Sequence, residues 1–167
     1  MKAKTQRIAF IGVFSALAII LAFVEFILPP LWSAVPGIKM GLPNIIIFFL
    51  LYKSSLKEAV LVSVIRLFAV AFLFGNAVTL TYSFAGAFLS LTVMAIMKKI
   101  NIFSMVGVSI GGAVCHNLAQ VLVAMILLGT KEIGYYMIIL AVTGIIAGIF
   151  VGFSGILLLR YTDKFKV

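Results

Sequence analysis

Acidic residues are scarce in this chain: three glutamates and Asp163 among 167 residues. With one histidine, His116, and one cysteine, Cys115, neither an Asp-rich Mg²⁺ site for phosphoryl or prenyl-diphosphate chemistry nor a zinc site can be assembled. A single cysteine also excludes a disulfide framework. No Walker sequence is present to cradle ATP phosphates, and nucleophile elbows and metalloprotease helices are absent. The expectation is a protein that is not an enzyme and holds no resident cofactor or metal.

What fills the chain is apolar: 65% of residues are hydrophobic and 10% charged, and the mean hydropathy is +1.32. Such a composition belongs to an integral membrane protein. Apolar segments fall at about 8–28, 42–52, 56–74, 78–97, 102–128 and 133–159. Five are long enough to cross a bilayer core of about 30 Å as a helix. The segment 42–52 reaches only about 16 Å at 1.5 Å per residue, and it opens on Pro43-Asn44, as a half-helix or a short buried span would. The first segment follows a short basic stretch and runs to Pro29-Pro30 without a small-residue cleavage pattern, so it is read as a retained helix. The fold class expected is an all-α membrane protein, a bundle of six transmembrane helices in a single domain 1–167 with a short second helix.

Charge placement chooses the topology. With six spans, Lys2, Lys4, Arg7, Lys53, Lys57, Lys98, Lys99, Arg160, Lys164 and Lys166 share one side and only Lys39 and Lys131 the other, ten against two. If 42–52 did not cross, the split would be four against eight. The positive-inside rule therefore favours six crossings, with both termini cytoplasmic in the plasma membrane. The net charge of +9 reads as a topology signal plus attraction to anionic lipid of the bilayer, and nucleic acid is not the expected partner.

Arg66 sits in the middle of the apolar run 56–74. A guanidinium near the bilayer centre costs at least about 2.5–3.5 kcal/mol on insertion scales, so it should face a partner, a ligand or a wet cavity. Glu25 is the acid that could reach it as an internal ion pair; ligand contact is the other use. Running the fifth span outward puts His116 and Asn117 near the midplane with Gln120 one turn further, His116 and Gln120 on one face by i, i+4 spacing. Asn44 opens the second span, Asn76, Thr79, Thr81 and Tyr82 the fourth, and Lys39 lies in the outer loop. A polar cluster confined to the outer half describes a binding cavity. Its expected ligand set is Lys39, Asn44, Arg66, Asn76, Tyr82, His116, Asn117 and Gln120, although each of the amides could instead join helices by hydrogen bonds. Lys39 and Arg66 outnumber Glu25, so the ligand should be anionic or oxygen-rich, and Trp32 and nearby aromatic rings could stack on a flat ring. Small residues at four-residue spacing recur in the first, fifth and sixth spans; most serve helix packing. In the first span Ala9, Gly12 and Ala16 occupy the cytoplasmic half, where a partner subunit could dock.

The stretch from Gly37 through Lys39, Gly41 and Pro43 to Asn44, then Lys57-Glu58-Ala59, Arg66, Phe74-Gly75-Asn76, Tyr82 to Gly86, and Gly107 to Asn117 with Gln120 resembles the Gx transporter family, often labelled heptaprenyl diphosphate synthase component I. The resemblance covers roughly 8–160. Proteins of that family look like S-components of energy-coupling factor (ECF) transporters. This implies six helices, an outward pocket, and a first-helix stripe that docks a shared transmembrane subunit driven by two ATPase subunits. It also makes a flavin the favoured solute, a quinone or isoprenoid precursor the second. The alternative function is a noncatalytic membrane subunit that supports polyprenyl diphosphate or quinone synthesis, or a redox complex. The synthase label itself fits the chain poorly, because the metal-binding acids of prenyl transfer are not in it.

Reporter fusions at Val167 should be active only when the reporter works in the cytoplasm; activity confined to the exterior would overturn the charge argument.

Overall fold

The computed structural model describes residues 2–28 and 40–164. Among these the chain is helical throughout, with no strand: α1 Lys2–Ile27, α2 Leu42–Lys53, α3 Leu56–Phe74, α4 Ala77–Ile100, α5 Met105–Leu128 and α6 Tyr136–Lys164, the last entered through a 3-10 turn Glu132–Tyr135. α1, α4, α5 and α6 are long and apolar enough to cross a membrane. α3 has 19 residues but carries Lys57 and Glu58 in its first turn and Arg66 at its centre. α2 has 12. This is a multi-pass helical membrane protein.

Several helix ends differ from the apolar segments for local reasons. α1 starts six residues before Ile8, and α6 runs past Leu159 to Lys164, because lysine and arginine are good helix formers that cost little where a helix leaves the bilayer. α5 starts at Met105, since the Ser104 hydroxyl accepts the Gly107 N–H at 3.1 Å and fixes the cap there. α3 is capped in the same way by Ser55. α4 ends on Asn101 and α5 on Gly129, both left-handed.

The helices form a ring in the order α1, α3, α4, α5, α6, α2, and α2 closes it against α1, α3 and α6. α2 is the most buried element: Phe48, Phe49, Leu50 and Leu51 are each 2% exposed or less. Its apolar side chains share one core with Val62 of α3, Leu91 and Met94 of α4, Val108 of α5 and Val151 of α6, and Phe10, Ile11 and Phe14 of α1 pack on it. The Phe14 and Phe49 rings stack at 5.3 Å. Three cations tie down the same end of the bundle. Arg7 pairs with Glu58 at 2.7 Å, Lys53 pairs with Asp163, and Lys98 donates to the Leu51 carbonyl while lying over the Tyr52 ring. The start of α1 and the end of α6 therefore lie together at the Lys- and Arg-rich end.

α5 and α6 meet backbone to backbone through glycine. A Cβ on Gly148 would lie 2.6 Å from the Ile110 Cα, and one on Gly152 3.1 Å from the Val106 Cα, the close approach that small residues permit in lipid. At Gly12 of α1 nothing lies within 4 Å.

Gly148→Leu should cost about 1–3 kcal/mol by overpacking, seen as a lower melting temperature in detergent. Gly12→Leu should leave that temperature unchanged; equal losses in the two would refute the packing assignment.

Candidate functional site

α2 has 12 residues against 26, 19 and 29 in the neighbouring α1, α3 and α6, so its N-terminus stops inside the bundle, and the candidate site is built around that end. Gly41 precedes it in the left-handed conformation, φ 76°, where glycine is favoured. A helix N-terminus presents N–H groups without intrahelical partners and a positive dipole end. Pro43 removes one of these donors. Glu25, near the end of α1, takes two others: its Oε1 accepts the Gly41 N–H at 2.5 Å and the Leu42 N–H at 3.3 Å. The sequence offered Glu25 as a counter-ion to Arg66; the structure commits it to capping α2.

Arg66 is 7% exposed, and its Nε has no hydrogen-bond partner. The ion pairs among the described residues are Arg7 with Glu58 and Lys53 with Asp163, so no carboxylate there meets its guanidinium. Glu25 acts on it only through its longer-range field. Arg66 follows Ser63 by three residues on the buried face of α3.

Asn44 of α2, Ser63 of α3, Ser90 of α4 and His116 of α5 line one cavity of about 20 Å³ together with Ile47, Ala87, Leu91 and Met94. That is room for about one water among several polar groups. The His116 ring reaches it by lying against Gly86, where a Cβ would come within 2.7 Å of the imidazole Cε1. Gly86 is thus the residue that lets the ring into the α4–α5 seam. Ser63 and Ser90 were missed as site residues. The signal available was their helical spacing, Ser63 from Arg66 and Ser90 from Gly86.

The other expected ligand residues divide. Asn117 faces α6: its Nδ2 donates to the Leu140 carbonyl at 2.7 Å, an oxygen that Thr143 also uses. It joins helices. Asn76 is exposed and caps α4, its side chain accepting the Thr79 N–H at 2.9 Å while the Thr79 hydroxyl accepts the Asn76 N–H; the Asn76-x-x-Thr79 spacing was a capping signal in the sequence. Gln120 and Tyr82 are half-buried, Gln120 one turn beyond His116 on the same α5 face and Tyr82 one turn before Gly86 on α4. Lys39 lies outside the described residues. On α1, Ala9, Gly12 and Ala16 are exposed, whereas Ser15, Ala18 and Ala22 are buried, so the expected docking stripe points away from the bundle.

The interior therefore holds the Arg66 guanidinium and, on the cavity, an imidazole, a carboxamide and two hydroxyls, while its carboxylates are engaged, Glu25 by two N–H groups and Glu58 by Arg7. Its formal charges balance, Arg66 against Glu25, but the carboxylate is engaged and the Arg66 Nε is not, so the free donor favours an anion or an oxygen-rich solute. No group of three His, Cys, Asp or Glu side chains that could hold a metal occurs among the described residues.

Neither the curated proteins nor the solved structures yield a match to this chain. One family model does match, over residues 14–158, from the middle of α1 to within two turns of the end of α6 and so across every residue of the polar interior. By that match the chain belongs to the family described as heptaprenyl diphosphate synthase component I.

Proposed function

We propose that the protein is a noncatalytic, solute-binding membrane subunit, the S-component of an ECF-type transporter, and that Arg66 is the anchor of its solute. The observation behind this reading is the guanidinium itself, 7% exposed, with an unpartnered Nε and no ion pair among the described residues. A buried charge without a partner is strongly destabilising. An anionic ligand would supply the partner, near the N-terminus of α2. His116, Asn44, Gln120 and Tyr82 would frame it, with an aromatic ring on Tyr82. A flavin carrying a phosphate combines the flat ring with the anion and is the favoured solute; seating it requires the helices to part beyond the one-water cavity. The solute would enter from the far end while the termini sit in the cytoplasm at the plasma membrane. Coupling would come from the shared transmembrane subunit and its two ATPase subunits, docked on Ala9, Gly12 and Ala16, where the exposed helix face leaves room for close approach.

The family's description favours a second reading, a noncatalytic membrane partner of a prenyl-diphosphate synthase or of a quinone or redox system. Its ligand, a quinone or isoprenoid precursor, would meet the same arginine. Copurification separates the two: ATPase subunits on gentle purification indicate transport, a soluble synthase the other.

Calorimetry with flavin mononucleotide should show binding that Arg66→Met or Gln120→Ala weakens about ten- to a hundred-fold, the loss of a charge-assisted or buried hydrogen bond. Lys131→Ala should change little. Full affinity in Arg66→Met with a lowered melting temperature would make the arginine structural.

Gly12→Leu should abolish assembly with the coupling subunits and solute uptake while leaving solute binding by the isolated subunit intact. Normal assembly in that variant would reject the docking face.

A further inference from the structure

A second recess lies at the opposite, Lys- and Arg-rich end. A cleft of about 590 Å³ opens between the last turn of α2, the first turn of α5 and the last turns of α6. Its volume falls in the range of small-molecule sites, roughly 300–1,000 Å³. The walls are of two kinds. Met105, Val106 and Ile156 give an apolar floor, and Lys53, Arg160 and Asp163 give a charged rim. Lys53 and Asp163 neutralise each other. Arg160 is exposed and takes part in no ion pair or hydrogen bond among the described residues, so the rim keeps one uncompensated positive charge.

We infer that this cleft holds an anionic phospholipid, its phosphate on Arg160 and the upper part of one acyl chain on Met105, Val106 and Ile156. Three features select that occupant. The cleft lies where the helices leave the bilayer, so lipid is the amphiphile at hand. A soluble anion would use the arginine and leave the apolar floor wet, whereas a zwitterionic lipid would bring its own cation to a rim that is already positive. The guanidinium fork matches a phosphate's oxygens, and basic recesses between transmembrane helices are recognised places for anionic head groups. A lipid seated there bridges α2, α5 and α6 at the end where Lys53 and Asp163 already join two of them. The cleft is separate from the solute site, which lies at the other end of α2, about 18 Å away along a 12-residue helix.

The test uses the full chain in phosphatidylcholine vesicles doped with phosphatidylglycerol or phosphatidylcholine carrying a photoreactive group on the acyl chain. Phosphatidylglycerol should label peptides containing Met105, Val106 and Ile156 about fivefold above phosphatidylcholine, the scale of one basic side chain's attraction for an anionic surface. Arg160→Gln should remove the difference, Arg160→Lys should keep part of it, and Lys131→Gln at the far end should keep all of it. Equal labelling by the two lipids, or a preference that survives Arg160→Gln, overturns the inference. Displacement of the lipid by inorganic phosphate alone also overturns it, since the cleft would then be a head-group anion site without use for the floor.

Discussion

A guanidinium inside a membrane bundle has to be answered by negative charge, and here the acid nearest in its field is already engaged. Glu25 holds two N–H groups at the start of α2, and Arg66 keeps a buried, unpartnered Nε. The two facts are linked. If Glu25 turned to Arg66, the buried N-terminus of α2 would lose its cap and its compensating charge; left where it is, it leaves the guanidinium without an ion pair among the described residues. The position of α2 thus depends on Glu25, and the unpaired state of Arg66 depends on α2.

The rest of the bundle accommodates that short helix. Because α2 spans about 18 Å, its core side chains fill only the Lys- and Arg-rich half, where Phe48, Phe49, Leu50 and Leu51 are enclosed by all the other helices. The cations of that end are in use as fasteners: Arg7 on Glu58, Lys53 on Asp163, Lys98 on the Leu51 carbonyl. Glycines on α6 bring it onto α5, and a one-water polar cavity lies beside the first turns of α2, lined by Asn44, Ser63, Ser90 and His116.

Much of this was legible in the residues. The length of 42–52 and its opening Pro43-Asn44 announced a short second helix, and the depth of Arg66 in 56–74 announced a polar interior. The use of Glu25 was not legible, because it depends on the end of α1 and the start of α2 meeting across 29–41, a contact no local pattern encodes. His116 and Asn117 are neighbours in sequence, but about 100° separates them around a helix, so one faces α4 and the cavity while the other faces α6. Which of them serves the site is decided by the placement of two other helices. Asn76 shows the opposite case: its position among outer polar residues suggests the cavity, but its local spacing to Thr79 is that of a cap, the use the structure shows.

The central claim is that the charge of Arg66 is completed by a solute. Native mass spectrometry of the gently purified chain addresses it most directly. One anionic small molecule retained per chain, and lost in Arg66→Met, is the expected result. A bare chain, or a retained molecule indifferent to Arg66→Met, would contradict it.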